Sequence, residues 1–309
     1  MRSVLVTGGT GSFGSRLVEF LYKNNSDLEF VIFSRDEQKH YQMRLKYNNS
    51  PRLHFVVGDV RDLETITGAM EEYKPHYVIH TAAMKHVLIC DQNPMQAVLT
   101  NIHGTKNVAK ACVTTGVQCA CFVSTDKSVQ PTTLYGMTKH IAERIWLNYS
   151  KNQKEFPKFF GVRYGNVVNS AGSLIPFYLD IAKSSKVFPL TNVNMTRFFI
   201  TFDQAINWIV FSFLRHCSIQ LVPKTMCNLK LNSVDQDIFY IPQLPSAKIV
   251  DIANIFADIC TGQVKITGEY PSEKMHEILT LNYSSKDNLL EKSDIYALLE
   301  QENLLPEKK

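Results

Sequence analysis

The chain has 309 residues, of which 45% are hydrophobic and 20% charged, and its formal net charge is +4. A charge this balanced argues against a nucleic-acid partner and against a membrane surface. No apolar N-terminal segment resembles a secretion signal. The most apolar stretch, residues 198–214, is interrupted by Asp203, Gln204 and Asn207, which disfavours a membrane span. We therefore expect a cytoplasmic protein that binds neither nucleic acid nor membrane.

The first elements read as strand, glycine turn and helix. Residues 3–7 are apolar, residues 9–14 carry the pattern G-x-G-x-x-G, and residues 17–21 have apolar helical spacing. This context favours a dinucleotide-binding turn over a tight turn that needs glycine only for positive φ. The helix N-terminus would then face a pyrophosphate. The predicted cofactor-binding residues of this turn are Gly8, Gly11, Ser12, Phe13 and Gly14.

The second predicted strand, residues 30–33, ends in Ser34 and Arg35, and Lys39 follows one helical turn later. An NAD site is expected to carry an acidic residue at this strand end. A small hydroxyl followed by two cations instead suits the 2′-phosphate of NADP. The alternative is a solvated, charged helix, and NADP is the favoured interpretation.

The next two strands end in further predicted cofactor contacts. Residues 53–57 precede Asp59 and Val60, and residues 77–81 precede Ala82 and Ala83. Asp59 is placed to meet an adenine amino group, although it could equally be a charge at a helix N-terminus. The two alanines would let a cofactor pass over the strand end.

Residues 85 and 101 are candidates for the loop above the fourth strand. Lys85 follows that strand at the edge of the sheet where ligands bind in open α/β folds, and we predict that it contacts substrate. Asn101 lies in a predicted helix over residues 94–112. It orders a water or the loop, or it is a buried asparagine bonded to the backbone.

Residues 124–139 concentrate the chemistry of the chain. A predicted buried strand, residues 119–123, leads to Thr125, Asp126 and Lys127, and a loop then opens a helix that carries Tyr135 and Lys139. Residues four apart on a helix share one side, so the ammonium is expected to lower the pKa of the phenol. Such a tyrosine could act as acid and base. A Tyr-x-x-x-Lys pair alone is weak evidence, because surface helices carry it by chance.

Seven cysteines occur, at positions 90, 112, 119, 121, 217, 227 and 260. Their number is odd, no CxxC pair exists, and several lie in apolar runs, so the pattern predicts free thiols in a reducing compartment. Cys119 and Cys121 would share one face of a strand. Two small core residues explain them better than a metal site, and we expect no metal.

Strands and helices alternate through residue 164, which predicts a parallel sheet. We expect an α/β protein with a Rossmann-like, doubly wound parallel sheet and a smaller mixed α/β substrate-binding lobe. Residues 1–168, with contributions from about 200–220, would form the dinucleotide-binding domain, and residues 169–309 mainly the substrate lobe. The elements predicted after residue 168 are helices at 174–181, 202–214 and 249–260, strands at 239–241 and 264–266, and a polar loop at 194–198.

These motifs resemble the extended short-chain dehydrogenase/reductases through TGGTGSFG, GDVRD, the Tyr135–Lys139 pair and RYGN. Within them the chain is similar to the inverting UDP-N-acetylglucosamine 4,6-dehydratases. That similarity rests on FSRDEQK, AAMKHV, STDKSVQPTTLYGMTK, RYGNVVNSAGSLIPF and NMTRFFIT. Asp126-Lys127 is the strongest discriminator, because retaining dehydratases carry Asp-Glu there. The chain departs from the family's Gly-Glu-Lys-x-His-Glu stretch, which here reads PSEKMHE over residues 271–277, and this leaves the identity of the sugar open.

The resemblance implies conversion of UDP-N-acetylglucosamine to a 4-keto-6-deoxy sugar, with inversion at carbon 5 and NADP recycled within the cycle. Tyr135 would take the proton of the carbon-4 hydroxyl, Lys139 would hold the phenolate and the nicotinamide ribose, and Thr125 would bind the carbon-4 oxygen. Lys127 would then remove the carbon-5 proton as a neutral amine, its pKa lowered by burial and by Lys139. Asp126, kept protonated, would donate to the departing carbon-6 hydroxyl.

Further site residues follow from the same resemblance. Tyr164 joins the predicted cofactor contacts, and the predicted substrate contacts are Lys85, Lys127, Asn166, Ser173 and Arg197. For Arg197 a UDP phosphate competes with an ordinary salt bridge. Asp126 could instead be a loop cap and Lys127 a solvated charge.

The resemblance also implies a homodimer built through the helices at 94–112 and 134–149, with a hexamer as a further assembly. Ile102, Val108 and Trp146 would then be buried against the neighbouring subunit. Two other activities compete on the same scaffold, a retaining UDP-sugar dehydratase and a UDP-sugar epimerase. A catalytically silent NADP-binding regulator is the alternative of another class.

Overall fold

The computed structural model describes residues 2–223, 233–268 and 272–307. A sheet of seven parallel strands lies at its centre. In chain order these strands are β1 (Arg2–Thr7), β2 (Leu28–Ser34), β3 (Leu53–Val57), β4 (Tyr77–His80), β5 (Cys119–Thr125), β6 (Lys158–Tyr164) and β10 (Phe239–Tyr240).

The strand order is β10-β6-β5-β4-β1-β2-β3. The chain winds outward from β1 to β3 and then returns to place β4 on the other side of β1. The carboxyl ends of β1 and β4 therefore border a topological switch point, where open α/β sheets form their ligand crevice. This arrangement confirms the predicted Rossmann-like fold class.

Helices cover both faces of this sheet. The longer ones in the first part of the chain are α1 (Ser12–Asn24), α2 (Glu37–Lys46), α3 (Leu63–Tyr73), α6 (Gly104–Thr115) and α7 (Leu134–Asn152). The helix predicted over residues 94–112 is in fact three pieces, with α4 (Val87–Gln92) before it. A short α5 (Pro94–Ala97) leads into a π-helical turn, Val98–His103, and then into α6.

The helix α9 (Phe202–Cys217) packs against the main sheet, and its start was predicted from a capping box. The Thr201 hydroxyl accepts from the Gln204 amide at 3.2 Å, and the Gln204 side chain accepts from the Thr201 amide at 3.0 Å. This reciprocal pairing satisfies backbone donors at the helix start. The prediction is confirmed, and the helix runs three residues beyond its predicted end.

The smaller lobe packs around a second hydrophobic core. Its elements are β7 (Asn166–Val167), α8 (Leu174–Ala182), β8 (Val187–Leu190), β9 (Thr196–Ile200), β11 (Ser246–Lys248), α10 (Ile249–Cys260), β12 (Gln263–Ile266), β13 (Ile278–Thr280), β14 (Tyr283–Ser284) and α11 (Lys292–Gln301). The predicted helices at 174–181 and 249–260 are confirmed. The domain boundary at residue 168 stays a prediction.

Two predicted elements of the lobe are wrong. Of the predicted polar loop at 194–198, residues 196–198 belong to β9, whose five residues are all buried. Phe198, Phe199 and Ile200 favour a strand, which lies between β7 and β11. The strand predicted at 239–241 extends the main sheet beside β6 instead of joining the lobe.

The cysteine prediction is wrong for two of the seven residues. Cys119, at the start of β5, forms a disulfide with Cys217, at the end of α9, with Cα atoms 6.8 Å apart. The two meet because α9 crosses the sheet so that its last turn lies over the first residue of β5. Four other cysteines are free and buried, and Cys227 lies outside the described residues.

The residues predicted to face a neighbouring subunit are mostly internal. Trp146 and Val108 are fully buried within the chain, and the Trp146 indole donates to the Phe160 carbonyl at 2.8 Å. Their assignment to a subunit interface is wrong, because α6 and α7 turn these side chains toward the sheet. The exposed apolar side chains of this region are Leu88, Ile89, Met95, Met137 and Ile141.

In the part of the chain that the structure describes, none of the helices is both long enough and apolar enough to cross a bilayer.

Candidate active site

A cleft of about 1340 Å³ runs along the carboxyl edge of the main sheet and reaches the smaller lobe. It brings together most of the predicted site residues, although they come from many separate loops. Those that line it are Gly8, Gly11, Ser12, Phe13, Gly14, Ser34, Arg35, Lys39, Asp59, Val60, Ala82, Ala83, Lys85, Thr125, Lys127, Tyr135, Lys139, Tyr164, Asn166 and Ser173. Two predicted residues, Asp126 and Arg197, lie behind this lining.

The glycine turn is shaped for a close backbone approach. Gly8 has φ +68°, and the Gly11 amide donates to the Gly8 carbonyl at 2.8 Å. A Cβ added to Gly14 would lie 2.3 Å from that same carbonyl oxygen, so only glycine fits there. Within the described residues α1 has no side-chain cap at its N-terminus. Its first amides therefore suit a phosphate, and this cradle fits a dinucleotide.

The end of β2 carries hydroxyls and cations. The Ser34 hydroxyl lies 2.8 Å from that of Thr10 and also hydrogen-bonds His40. Arg35 is largely exposed, with its guanidinium 3.6 Å from Asp59, and Lys39 lies 3.2 Å from Asp36. The 2′-phosphate of an NADP molecule would therefore meet accessible cations at this strand end.

Asp59 has a partner that sequence reasoning missed. One carboxylate oxygen accepts from the Arg61 side chain at 2.6 and 2.8 Å, and the other accepts from the Arg61 amide at 2.9 Å. Arg61 lies two residues beyond Asp59, so the signal was present in GDVRD. The contact between Asp59 and adenine remains a prediction. Arg61 already orients the carboxylate that would make this contact.

Asn101 anchors the loop that follows β4. It lies in the π-helical turn and is 1% exposed. Its Oδ1 accepts from the Met84 amide at 2.8 Å, and its Nδ2 donates to the Met84 carbonyl at 2.9 Å and to the Thr138 hydroxyl at 3.0 Å. Asn101 is therefore a buried asparagine bonded to the backbone, and through these same bonds it orders the loop after β4. π-helical turns are frequent at functional sites.

The catalytic corner forms where β5 ends and α7 begins. Thr133 caps α7 by accepting from the Gly136 amide at 3.1 Å. A Cβ on Gly136 would lie 2.3 Å from the Lys127 carbonyl oxygen. The first turn of α7 therefore packs directly against the segment between β5 and α7, residues 126–133, which we call the Lys127 loop. This contact brings Tyr135 beside Thr125 and Lys127 at one end of the cleft.

Lys127 is held by three acceptors. Its Nζ donates to Asp126 Oδ1 at 3.1 Å and to Asn166 Oδ1 at 3.0 Å, and it lies 3.6 Å from Glu277 Oε1. Sequence reasoning missed Glu277 as a site residue. The signal lay in the stretch over residues 271–277, which drew attention only as a departure from a family pattern.

The predicted direction of the Lys127 pKa is wrong. Burial does lower the pKa of Lys127, as expected, but the charges of Asp126 and Glu277 outweigh burial and raise it above its usual value. The cation that opposes them is Arg197, not Lys139. Lys127 therefore rests as an ammonium and must lose a proton before it can act as a base.

Asp126 is fully buried and does not line the cleft. Burial raises its pKa, and Glu277 adds to this, against the lowering effect of Lys127. A raised pKa makes protonation easier than for an exposed aspartate, and the protonated state stays a prediction. The direct donation predicted from Asp126 to substrate conflicts with its burial, because Thr125 and Lys127 separate it from the cleft.

The predicted effect of Lys139 on Tyr135 is also wrong. Burial raises the pKa of Tyr135 to about 12, and the cation that opposes this is Lys127, assisted by a hydrogen bond with Thr125. Lys139 Nζ instead donates to the Val123 carbonyl at 2.7 Å. Burial lowers the pKa of Lys139 to about 7, against the effect of Glu143. The Lys139 side chain, which was expected beside the Tyr135 phenol, thus hydrogen-bonds the backbone of β5 instead.

A buried ion pair supports the back of this corner. Arg163 donates to both oxygens of Glu143, at 2.7 and 3.0 Å, and to the Leu279 carbonyl at 2.8 Å. Ser128, in the Lys127 loop, lies 2.7 Å from Glu143 Oε1. Arg163 thus ties helix α7, the Lys127 loop and the chain just beyond Glu277 together. Sequence reasoning quoted RYGN but gave Arg163 no role.

Arg197 forms an ion pair, as the alternative interpretation predicted. It is 6% exposed, and its guanidinium donates to Glu273 at 2.9 Å and to the Thr196 carbonyl at 2.8 Å. In this arrangement it holds the segment that carries Glu277 against β9. Contact with a phosphate stays a prediction.

The comparisons with known proteins agree with this geometry. Residues 4–299 match the family model described as polysaccharide biosynthesis protein. The chain belongs to this family, and its fold and motifs are those of the extended short-chain dehydrogenase/reductases.

Two kinds of curated relative are similar to the chain. It is 37% identical over 280 residues to the inverting UDP-N-acetylglucosamine 4,6-dehydratase of Campylobacter jejuni, covering 90% of this chain and 77% of the relative. It is 38% identical over 216 residues to a UDP-glucose 4-epimerase of Rickettsia bellii, covering 69% of this chain and 62% of that protein.

Solved structures share the fold. Pen from Bacillus thuringiensis superposes with a TM-score of 0.82 at 28% identity, covering 97% of this chain and 98% of that one. DesIV from Streptomyces venezuelae, a dTDP-glucose 4,6-dehydratase solved as a double mutant with NAD and DAU bound, gives a TM-score of 0.71 at 18% identity, covering 89% and 87%.

Proposed function

We propose that the protein is a nucleotide-sugar dehydratase that converts UDP-N-acetylglucosamine to a 4-keto-6-deoxy UDP-sugar with inversion at carbon 5. The observation that carries this proposal is the Asp126–Lys127 pair, held together at 3.1 Å beside Tyr135 at the catalytic end of the cleft. The 37% identity with an inverting dehydratase supports it. A tightly bound NADP would serve the whole cycle.

The residues at the nucleotide end fit this cofactor. The glycine turn and the start of α1 would hold the pyrophosphate, and Arg35 and Lys39 would meet the 2′-phosphate. Ala82, Ala83 and Tyr164 line the path toward Tyr135. When bound, NADP accepts a hydride from carbon 4 and returns it to carbon 6.

The oxidation at carbon 4 needs a proton acceptor and an oxygen ligand. Tyr135 exchanges the proton of the carbon-4 hydroxyl, and Thr125 hydrogen-bonds the same oxygen. Lys139 would contact the nicotinamide ribose from the base of the cleft. The carbon-4 ketone then acidifies the proton on carbon 5.

The elimination needs a base at carbon 5 and an acid for the carbon-6 hydroxyl. Lys127, the member of the charged cluster that lines the cleft, takes the carbon-5 proton once it is neutral. Asp126 holds the proton for the leaving hydroxyl. A turn of its carboxyl group would let it donate to the Thr125 hydroxyl that now donates to it, and Thr125 would pass its own proton to the departing oxygen. Reprotonation of carbon 5 from the opposite face would invert that centre.

An epimerase is the second candidate, because the Rickettsia relatives carry that name. Such an enzyme needs no base at carbon 5, so the Asp126–Lys127 pair argues against it. A retaining dehydratase would carry a glutamate at position 127. A silent NADP-binding regulator is disfavoured because every expected catalytic side chain is present.

Incubation with UDP-N-acetylglucosamine in deuterium oxide tests the proposal. We expect a 4-keto product with deuterium at carbon 5 and inverted configuration there, and with the hydrogen of carbon 4 transferred to carbon 6. A 4-epimerised sugar without loss of water would establish the epimerase instead. Retained configuration at carbon 5 would establish the retaining subclass.

The remaining predictions concern the setting of the enzyme. We propose a cytoplasmic location and a homodimer, with a hexamer as the larger assembly. The exposed apolar side chains of α4, α5 and α7 replace Val108 and Trp146 as the expected contact. Sedimentation as a monomer at micromolar concentration would exclude the dimer.

A further inference from the structure

One ammonium at the catalytic end faces two carboxylates. Asp126 Oδ1 lies 3.1 Å from Lys127 Nζ on one side, and Glu277 Oε1 lies 3.6 Å from it on the other. Both carboxylates are at most 5% exposed. The two carboxylates differ in their other partners, so they are expected to differ in protonation state.

The surroundings of Asp126 favour its protonated form. Its Oδ1 accepts from the Thr125 hydroxyl at 3.0 Å as well as from Lys127. No group among the described residues hydrogen-bonds its Oδ2, which is buried. A charged oxygen without a donor is expensive in such a place, whereas a protonated carboxyl carries its hydrogen on the oxygen that accepts nothing.

The surroundings of Glu277 favour its ionised form. Its Oε2 lies 3.3 Å from the Lys274 ammonium, which also donates to the Val129 carbonyl at 2.6 Å. Burial raises the pKa of Glu277, but the charges of Lys127, Arg197 and Lys274 outweigh burial and hold it below its usual value. The pKa values of the two carboxyls are thus moved apart, which is how an active site assigns different roles to similar groups.

We infer that Glu277 is the counter-ion and the proton acceptor of Lys127: it holds the ammonium at rest and takes the proton that must leave before the amine can act at carbon 5. The inference rests on the proposed function. Asp126 cannot take that proton, because it already holds the one for the leaving hydroxyl. Glu277 is then the anionic carboxylate left beside Lys127 among the described residues.

The step is a simple proton transfer. One N–H bond of Lys127 breaks and one O–H bond of Glu277 forms, with no other reactant. The 3.6 Å gap must close to hydrogen-bond distance, which the flexible lysine stem allows. The transfer is uphill because cations stabilise the Glu277 anion. Its product is a neutral amine, whose free electron pair can take the proton of carbon 5.

The proton count of the cycle closes. Carbon 5 loses one proton to Lys127 and regains one from solvent on the opposite face. Glu277 returns one proton to solvent, so that Lys127 ends as the ammonium and Glu277 as the carboxylate. The leaving oxygen takes its bonding electron pair and the proton of Asp126, and departs as water. Tyr135 takes the proton of the carbon-4 hydroxyl once it is a phenolate, and that proton replaces the one that Asp126 gave. Glu277 acts only through Lys127 and does not line the cleft, so it is a positioning residue.

Glu277→Gln separates this role from a structural one. With UDP-N-acetylglucosamine, we expect kcat to fall by about a hundredfold and KM to stay within about twofold. Because oxidation at carbon 4 precedes the blocked step, the absorbance of bound NADPH should accumulate during turnover. Glu277→Asp keeps a carboxylate and should recover part of kcat. A wild-type kcat without accumulation of NADPH in Glu277→Gln would overturn the inference.

Glu273→Gln is the matched control. It removes a carboxylate from the same segment, but Glu273 pairs with Arg197 and not with Lys127. It should therefore cause no accumulation of NADPH, and accumulation equal to that in Glu277→Gln would contradict the assignment. If Glu277→Gln does not fold, Glu277→Ala, which also removes the carboxylate, takes its place, and a wild-type kcat without accumulation of NADPH would again overturn the inference.

A measurement without substrate keeps the inference separate from the proposed function. The charges that face Lys127 are those of Asp126, Glu277 and Arg197, with the Tyr135 phenol beside it. Titration of the Lys127 amine by nitrogen NMR should show a lower pKa in Glu277→Gln than in Glu273→Gln. Equal values would show that Glu277 is not the counter-ion, whatever substrate the enzyme uses.

Discussion

The two ends of the cleft are built in different ways. At the nucleotide end, Gly8, Gly11 and Gly14 set the shape of the site through backbone contacts within one short turn. At the catalytic end, Lys127 depends on Glu277, which arrives from a segment near the other end of the chain. Local sequence therefore determines the shape of one end, whereas distant partners determine the charges of the other. Each end can be disturbed without the other.

Removal of the Lys127 amine should have the largest effect and should break the catalytic end alone. We expect Lys127→Met to lower product formation by about a hundred- to ten-thousandfold, the usual value of general-base catalysis. Cofactor content should not change, because the nucleotide end lies elsewhere in the cleft. Lys183→Met, at a 78% exposed position, is the control. A fully active Lys127→Met enzyme would refute the assignment.

A methyl group at Gly14 should break the nucleotide end alone. Its Cβ would lie 2.3 Å from the Gly8 carbonyl oxygen, and relief of such overpacking costs about 1–3 kcal/mol. We expect cofactor affinity to fall by about ten- to hundredfold, measured as NADP(H) released from purified protein. The control is Gly68→Ala, where no described atom lies within 4 Å of the added Cβ. Normal cofactor content in Gly14→Ala would contradict this account.

Removal of the Arg35 guanidinium should have a smaller effect, which would show whether the nucleotide end prefers NADP to NAD. We expect Arg35→Ala to weaken NADP binding by about tenfold, the value of one exposed charged hydrogen bond, and to leave NAD binding unchanged. The ratio of the two dissociation constants is the measurement. If the wild-type protein releases NAD alone and the variant binds it equally well, the choice of NADP is wrong.

The last prediction concerns folding stability instead of activity, and it depends on pH and on Lys139. Its pKa falls from 10.5 to about 7 on folding, so between these values the unfolded chain holds a proton that the folded chain has lost. Stability should therefore rise with pH in that window, by up to about 1.4 kcal/mol per unit. Lys139→Met should flatten the rise in melting temperature. An equal slope in both proteins would mean that Lys139 keeps its proton.

The same contrast explains what could be read from the sequence. The first six strands of the main sheet, the glycine turn and the Thr201 cap follow local patterns, and they were predicted to within a few residues, whereas β9 was predicted as a loop. The pKa directions of Lys127 and Tyr135 were wrong because they depend on Glu277 and on the backbone of β5, which no local pattern reveals. Trp146 was misplaced because helical periodicity shows which residues share a face but not what that face contacts.

The π-helical turn at Val98–His103 has a genetic consequence. Each of its hydrogen bonds spans one residue more than in an α-helix, so the turn is in effect a one-codon insertion. Deletion of one residue there would restore a regular helix and would rotate everything before it by about 100° relative to α6. Asn101 would then lose Met84, and the loop after β4 would lose its anchor. At this place a shorter gene would encode a more regular helix and a poorer enzyme.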